Sequence, residues 1–185
     1  MLLQTLIATA FASASVLAAP LQARDDPYFT PSAIWKYSVR NGAISETTNG
    51  EISKYNSNGG NDITTLLTFT YPKAAEGKQC QFAFYLDSTA IVSGSKKLDV
   101  FTSNNPAPGP TTGWGPGNQR NINLGRLSVT VPGTATWDDV NNAYLTAKTP
   151  CKAEHTVEGF ELVGVYDNDY VSWNPDLSGP RIIYT

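Results

Sequence analysis

Short stretches of alternating side chains recur along most of the chain. From residue 33 to residue 40, for example, Ala33, Trp35, Tyr37 and Val39 fall on one face of an extended backbone. A period of two residues is that of a β-strand, in which successive side chains point to opposite faces. The pattern therefore predicts strands. It also argues against a helical bundle, for which helix-forming residues are too scarce in every window.

Turn signals rich in Gly, Pro and Asn separate the predicted strands. Asn49-Gly50 is a strong hairpin dipeptide, so residues 43–47 and 51–55 are predicted to pair across it. Residues 156–166 carry apolar side chains on both faces, which is typical of a central strand covered on both sides. About nine or ten short strands without a repeat predict an all-β fold, an antiparallel β-sandwich or jelly roll.

The chain contains two cysteines, Cys80 and Cys151. Cys80 alternates in phase with Phe82 and Phe84, which places it on the core face of its strand. In a secreted chain two cysteines most simply form one disulfide, with two buried free thiols as the alternative. Zinc ligation is a poorer explanation, because a structural zinc site needs four ligands and His155 is the only histidine.

The first nineteen residues contain no charged side chain and are mostly apolar or small. Such a run is short for a membrane span, and it predicts a signal peptide over residues 1–18, cleaved after Ala18. Cleavage after Ala19 is the competing choice, and a membrane anchor or a buried helix is the alternative to secretion. Residues 19–31 are predicted to be a flexible tail or a pro-segment trimmed after Arg24, and residues 32–185 a single β-sandwich domain. We therefore expect an extracellular or cell-wall protein with no membrane contact after cleavage.

The charge balance bears on possible partners. The formal net charge is −3 at pH 7, and charged residues make up 16% of the chain. A modest negative charge argues against a nucleic-acid partner, which would require a basic surface.

No catalytic constellation emerges from the motifs. The Gly-x-Ser-x-Gly pattern of a serine nucleophile does not occur, and His155 lies in a polar stretch where a solvated loop histidine is expected. The turns at Asp138-Asp139 and residues 167–169 are rich in oxygen ligands, but they lack the spacing of a calcium loop. Ordinary turn chemistry explains them equally well. We predict no catalytic residue, no metal and no cofactor.

Paired carboxylates remain the one enzymatic option, because many glycosidases use two of them on a β-sheet. The candidates are Glu158, Glu161, Asp99 and Asp138. Glu158 and Glu161 are three residues apart, so in a strand they point to opposite faces and cannot share a cleft. For Glu161 we expect a buried ion pair with Arg120 or Arg126 instead.

The most suggestive group of residues lies in the Pro/Gly-rich stretch 103–117 and just after it. Trp114 sits there, followed by Asn118, Arg120 and Asn121. A flat aromatic ring beside amides and an arginine is suited to hydrogen-bonding and stacking against a sugar. The alternative is that Trp114 caps one end of the sandwich while its neighbours hold the loop. The other tryptophans, at positions 35, 137 and 173, fit alternating strands and are predicted to be core residues.

Several short motifs occur together in a fixed order along the chain. They are residues 93–102 (Ser-Gly-Ser-Lys-Lys-Leu-Asp-Val-Phe-Thr), 114–121 (Trp-Gly-Pro-Gly-Asn-Gln-Arg-Asn), 124–127 (Leu-Gly-Arg-Leu), 135–137 (Ala-Thr-Trp), 159–162 (Gly-Phe-Glu-Leu), 171–173 (Val-Ser-Trp) and 179–182 (Gly-Pro-Arg-Ile). This set resembles the fungal family named after the C-terminal domain of But2, from roughly Ile34 to Tyr184. The resemblance implies a small secreted or wall-associated protein, and it carries over no catalytic residue. The family name refers to an intracellular ubiquitin-like pathway, which the predicted signal peptide and cysteine pair contradict.

Three functional hypotheses follow from the sequence. The first is a non-catalytic, secreted cell-wall or carbohydrate-binding protein that uses the region from Trp114 to Asn123. The second is a secreted, effector-like protein that binds an extracellular protein. The third, which we favour least, is a carboxylate-dependent glycoside hydrolase.

Overall fold

A computed structural model describes residues 26–114 and 119–185. The predicted signal peptide, residues 1–18, and the rest of the segment up to residue 25 lie outside the described residues. The described residues form fifteen strands and one short 3₁₀ helix, Lys73–Ala75. In chain order the strands are β1 (Tyr28–Phe29), β2 (Ala33–Ser38), β3 (Ile44–Glu46), β4 (Gly50–Tyr55), β5 (Ile63–Thr70), β6 (Gln79–Leu86), β7 (Ile91–Gly94), β8 (Lys97–Ser103), β9 (Arg120–Ser128), β10 (Gly133–Thr134), β11 (Thr136–Val140), β12 (Thr149–Pro150), β13 (Val157–Gly164), β14 (Asn168–Trp173) and β15 (Gly179–Tyr184).

The strands form two antiparallel sheets. The small sheet has five strands in the order β1-β15-β6-β10, with β12 also paired to β6. The large sheet has ten strands and runs β11-β9-β8-β13-β5-β4-β14-β7. It branches beside β5, where β2 pairs with β5 and β3 pairs with β2. This architecture confirms the predicted all-β, sandwich-like fold. The strand count exceeds the predicted nine or ten in part because β1, β10 and β12 have only two residues each, too few to show an alternation.

The core between the two sheets is rich in aromatic rings. Phe69 of β5 and Phe160 of β13 meet edge to face, with their ring centroids 5.7 Å apart. Phe82 of β6, on the facing sheet, lies 5.9 Å from Phe160. Phe84 and Trp173 form a second edge-to-face pair at 5.1 Å. Each such pair contributes about 0.5–1.5 kcal/mol beyond the burial of its area, so these contacts align the two sheets as well as exclude water.

The predicted central strand is confirmed in β13. It pairs with β5 on one side and with β8 on the other. Phe160 and Leu162 point into the core, and Glu161, on the opposite face, is also fully buried. Both faces of this strand are therefore covered, and the face that carries a carboxylate needs a compensating partner.

The predicted disulfide between Cys80 and Cys151 is present. Cys80 lies in β6 and is fully buried, and Cys151 directly follows β12, which pairs with β6. The bond joins residues 71 positions apart and encloses strands of both sheets. It therefore restricts the unfolded chain over a large part of the domain.

The hairpin predicted across Asn49-Gly50 is wrong. β3 pairs with β2, and β4 pairs with β14 and at one position with β5. Gly50 begins β4, where a Cβ atom would come within 2.0 Å of the Trp173 ring, so glycine is required there for packing. The hairpin turn lies one strand earlier, at Gly42, which has a positive φ of 72°.

The strand pairing also moves the start of the folded domain. Tyr28 and Phe29, within the segment 19–31 predicted to be flexible, form β1 and pair with Ile183 and Ile182 of β15. The Phe29 ring packs against Tyr71 at a centroid distance of 5.2 Å. The sheet thus begins before residue 32, because two residues with one partly buried aromatic ring that packs against the core are enough to extend its edge.

Asp169 of β14 is a fully buried carboxylate behind the turn between β7 and β8. Its Oδ1 accepts a hydrogen bond from the backbone N–H of Lys96, a turn residue with a φ of 57°. Burial raises the pKa of Asp169 to about 6, because a desolvated carboxylate favours its neutral form. Asp169 therefore titrates within the mildly acidic range.

Loss of the disulfide is expected to destabilise the fold strongly. Replacing Cys80 and Cys151 together by alanine should lower the free energy of unfolding by about 4 kcal/mol, from the chain entropy of a loop of this length. Urea denaturation followed by circular dichroism measures the change. Wild-type protein under reducing conditions is the control, since it keeps both sulfur atoms and should unfold near the same midpoint as the double variant. Equal midpoints for the oxidised wild type and the double variant would contradict the prediction.

The raised pKa of Asp169 predicts a pH effect with a definite sign. The folded state binds a proton more tightly than the unfolded state, so this residue's contribution to stability is complete near pH 4 and is lost as pH rises through 6. The loss should be on the order of 1–3 kcal/mol. Asp169→Asn cannot titrate, so the difference in unfolding free energy between pH 4 and pH 7 should shift by that amount relative to wild type. An identical pH dependence for both proteins would sink the idea.

Candidate functional site

Trp114 is the most exposed tryptophan in the part of the chain that the structure describes. It keeps 73% of its surface accessible and lies near the end of the described part of the loop between β8 and β9. Its ring rests on the backbone of Gly42, where a Cβ atom would come within 2.7 Å of the ring. One face of the ring therefore has a rigid support, and much of the side chain remains open to solvent.

The loop that carries Trp114 is tied to the large sheet by backbone hydrogen bonds. Ile44 of β3 and Thr111 exchange two of them, with N–O distances of 3.1 Å and 2.9 Å. At the base of the loop, Asn104 N–H donates to the Gln119 carbonyl, and the Asn105 side chain donates to Gln119 Oε1 at 2.7 Å. These bonds hold the loop at two levels, so Trp114 is presented from an anchored segment.

Beside Trp114 lies an open cavity of about 380 Å³ lined by Tyr37, Val39, Trp114, Gln119 and Arg120. We refer to these five residues as the Trp114 surface. They combine two aromatic rings with an aliphatic side chain, an amide and a guanidinium. Pockets that recognise small polar molecules pair apolar walls with a few placed hydrogen-bonding groups in this way.

Arg120 is fixed in the floor of this surface by Glu161. Its Nε donates to Glu161 Oε2 at 2.9 Å and its Nη2 to Oε1 at 2.6 Å, which is a two-pronged ion pair. Thr64 donates a further hydrogen bond to Oε1 at 2.7 Å. Glu161 is 0% exposed, whereas 36% of the Arg120 side chain is accessible. The hydrogen bonds to Glu161 raise the pKa of Arg120, so the guanidinium stays charged.

The structure brings together some of the residues that the sequence singled out and not others. Trp114 and Arg120 share the cavity, as the ligand-surface hypothesis requires. Asn121 is exposed on β9 but does not line the cavity, and Asn118 lies outside the described residues. The sequence analysis did not include Tyr37, which lies in β2, or Val39, which directly follows that strand.

The turn dipeptide Asn41-Gly42 was the signal that could have placed Tyr37 and Val39. Read as a turn, it folds β2 onto β3, and it brings the end of β2 beneath the loop that carries Trp114. Of the tryptophans predicted to be core residues, Trp173 is fully buried and Trp137 packs against the core while partly exposed. Trp35 instead joins a smaller cluster around Tyr37, Ile44 and Leu66 on the outer side of the large sheet.

The carboxylates proposed for hydrolysis are each occupied. Glu161 is buried under Arg120, as one of the two expected ion pairs. Glu158 accepts hydrogen bonds from the hydroxyls of Tyr71 and Tyr144, both of which have a raised pKa through burial and contact with this carboxylate. Asp99 pairs with Arg126, and Asp138 with Lys97. Each of these four carboxylates therefore already has a hydrogen-bonded or ionic partner within the protein, and Glu161 is also closed off from solvent.

His155, the remaining candidate for acid–base chemistry, is a solvated loop residue. Its side chain is 82% exposed, and its nearest ionic neighbour is Glu154 at 4.0 Å. In residues 26–114 and 119–185 there is no group of three or more His, Cys, Asp or Glu that could hold a metal ion. The same residues contain no helix long and apolar enough to cross a membrane.

Comparison with known proteins gives one match. A family model described as the ubiquitin 3 binding protein But2 C-terminal domain matches residues 30–178. No curated protein and no solved structure matches the chain.

The ion pair predicts unequal effects when either partner is removed. Arg120→Gln leaves the Glu161 carboxylate buried without its counter-ion, which should lower the free energy of unfolding by about 3–5 kcal/mol. Glu161→Gln leaves a guanidinium that can turn toward water, so the loss should be smaller, about 1–3 kcal/mol. Denaturation of both variants at pH 7 provides the comparison, with Arg40→Gln as the control for an exposed arginine. Equal losses, or a larger loss for Glu161→Gln, would contradict this account.

Proposed function

Since the chain belongs to the But2 C-terminal domain family, we propose that it is a secreted, non-catalytic protein of the fungal cell wall that binds a neutral wall polysaccharide through the Trp114 surface. The observation that carries this proposal is the exposed Trp114 ring on its rigid support. Burying a large aromatic side chain stabilises a fold by roughly 2–3 kcal/mol. The fold forgoes much of that gain here, because 73% of the Trp114 surface remains accessible.

The chemistry of the surface fits a sugar ring. The C–H face of a pyranose is flat and apolar, and it can lie against an indole ring while its hydroxyls reach polar neighbours. Gln119 uses its Oε1 for Asn105, and its amide nitrogen makes no hydrogen bond within the described residues. Arg120, held in place by Glu161, adds a guanidinium to the lining of the same cavity. A ring face and donors at a fixed spacing recognise a polyol without a catalytic group.

A location outside the cell is supported by the disulfide, because such bonds persist in oxidising compartments and are rare in the cytosol. The uncharged, apolar run of residues 1–18 supports the same location. The family description refers to ubiquitin 3 binding by the protein that gave the family its name. We do not extend that activity to this chain, since a cytosolic partner would not meet a secreted protein.

The test is retention of the purified secreted protein on insoluble chitin, β-glucan and cellulose. Wild type should be retained on at least one polymer. Trp114→Ala should bind that polymer at least about tenfold more weakly, because it loses the stacking contact. Tyr166→Ala is the matched control, since Tyr166 is also an aromatic residue with 60% of its surface exposed. Retention should persist at high salt, which separates stacking from ionic adsorption.

Two results would overturn the proposal. One is no retention of the wild type on any of the polymers. That result would favour the alternative function, binding of an extracellular protein. The other is equal retention of wild type and Trp114→Ala while both give the same circular dichroism spectrum.

A further inference from the structure

The outer face of the small sheet carries a second cavity, separate from the Trp114 surface. It has a volume of about 500 Å³ and is less open than the cavity beside Trp114. Its lining residues come from β1, β6, β10 and β15 and from the segments before β1 and before β15. They are Asp26, Tyr28, Ala83, Tyr85, Thr134, Leu177, Arg181 and Ile183.

Arg181 lies at the centre of this cavity. It pairs with Ala83 in the register of β15 and β6, and the small alanine side chain leaves room beside it. Its guanidinium carbon lies 4.3 Å from the centroid of the Tyr28 ring and 4.9 Å from that of Tyr85. The two rings hold the cation in place by cation–π contacts.

The hydrogen bonds of this arginine are unsatisfied. Within the described residues Arg181 forms no side-chain hydrogen bond and no ion pair, and its Nε is buried without a partner. The other three arginines of this part of the chain all have polar partners: Arg40 bonds Asn61, Arg120 pairs with Glu161, and Arg126 with Asp99. Arg181 is therefore the one guanidinium among these four whose terminal N–H groups have no acceptor within the described residues, and a ligand in the cavity can supply one.

The groups around Arg181 favour an acceptor-rich ligand. The hydroxyls of Tyr28 and Tyr85 also make no hydrogen bond within the described residues, and a phenol can donate to a ligand oxygen. Asp26 is the single acidic residue in the lining, and it lies beyond 4.0 Å of the guanidinium, since no ion pair joins the two. The two terminal N–H₂ groups of a planar guanidinium present parallel N–H bonds, which match the geometry of a carboxylate.

We propose that this cavity binds the carboxylate of an acidic sugar, a uronic acid residue, through Arg181. A peptide carboxylate fits less well, because peptides bind sheets mainly by adding a strand to an edge. The cavity lies on a sheet face, where β6 and β15 already pair with each other, so recognition has to come from side chains. The volume is within the range of cavities that hold small polar molecules.

The test compares D-galacturonate with D-galactose, which differ only in the carboxylate at C6. Titration of the full secreted chain, followed by calorimetry or NMR, should show saturable binding of galacturonate and at least tenfold weaker binding of galactose. Arg181→Gln should lose at least about tenfold in galacturonate affinity, whereas Arg40→Gln should not change it. Trp114→Ala should leave galacturonate binding intact, so this proposal and the one for the Trp114 surface can fail separately.

Asp26 provides a second variant that does not disturb the core. Asp26 is exposed, and Asp26→Asn removes the one negative charge among the lining residues of the cavity. Binding of galacturonate should become a few-fold tighter, because a like charge is no longer present. This variant keeps the proposal testable if Arg181→Gln does not fold.

Several results would overturn the proposal. Equal affinity for galactose and galacturonate would remove the role of the carboxylate, and equal affinity for acetate would remove the role of the sugar. Tighter binding of the tripeptide Gly-Gly-Leu than of galacturonate would assign the cavity to a peptide. An unchanged affinity in a folded Arg181→Gln variant, or in Asp26→Asn, would remove the site from this cavity.

Discussion

A carboxylate buried in the middle of the large sheet determines how the outer side of that sheet is built. Glu161 has no contact with water, so it requires a cation, and Arg120 supplies one through two hydrogen bonds. Arg120 is the first residue of β9, so this pair fixes the point where the long loop after β8 rejoins the sheet. A buried ion pair adds little net stability compared with apolar packing, but it defines position well. The location of the cavity beside Trp114 follows from that constraint.

The arginines of the two sheets show what separates a structural cation from a candidate binding group. Arg126 is satisfied by Asp99 and the hydroxyl of Tyr166, and Arg120 by Glu161. Arg181 lies against the rings of Tyr28 and Tyr85, which stabilise its charge by cation–π contacts without accepting its N–H groups. The molecule thus has two candidate surfaces of different character. One presents an indole ring beside a neutralised arginine, and the other an arginine whose charge no neighbour neutralises.

Much of the fold follows from local patterns, because alternation, turn residues and a cysteine on a core face act over short distances. The central strand β13 and the disulfide are of this kind. The pairing of β2 with β3 was missed because two Asn-Gly dipeptides compete, and only the packing of Gly50 against Trp173 excludes the second.

At the Trp114 surface the sequence identified Trp114 and Arg120, which are neighbours along the chain. Tyr37 and Val39 lie more than seventy residues earlier in the chain, and the cavity around Arg181 is lined by residues between positions 26 and 183. Such groupings depend on tertiary register, which a single sequence does not encode locally.

The position of the disulfide has a consequence for the loop that carries Trp114. The loop between β8 and β9 lies entirely inside the covalent ring closed by Cys80 and Cys151. An endoprotease that hydrolyses a peptide bond in this loop therefore produces two fragments that stay linked through sulfur. The nicked molecule gains the mass of one water, and its two fragments stay covalently joined until the disulfide is reduced. Cleavage next to the exposed Trp114 therefore does not separate the two parts of the sandwich while the disulfide is intact.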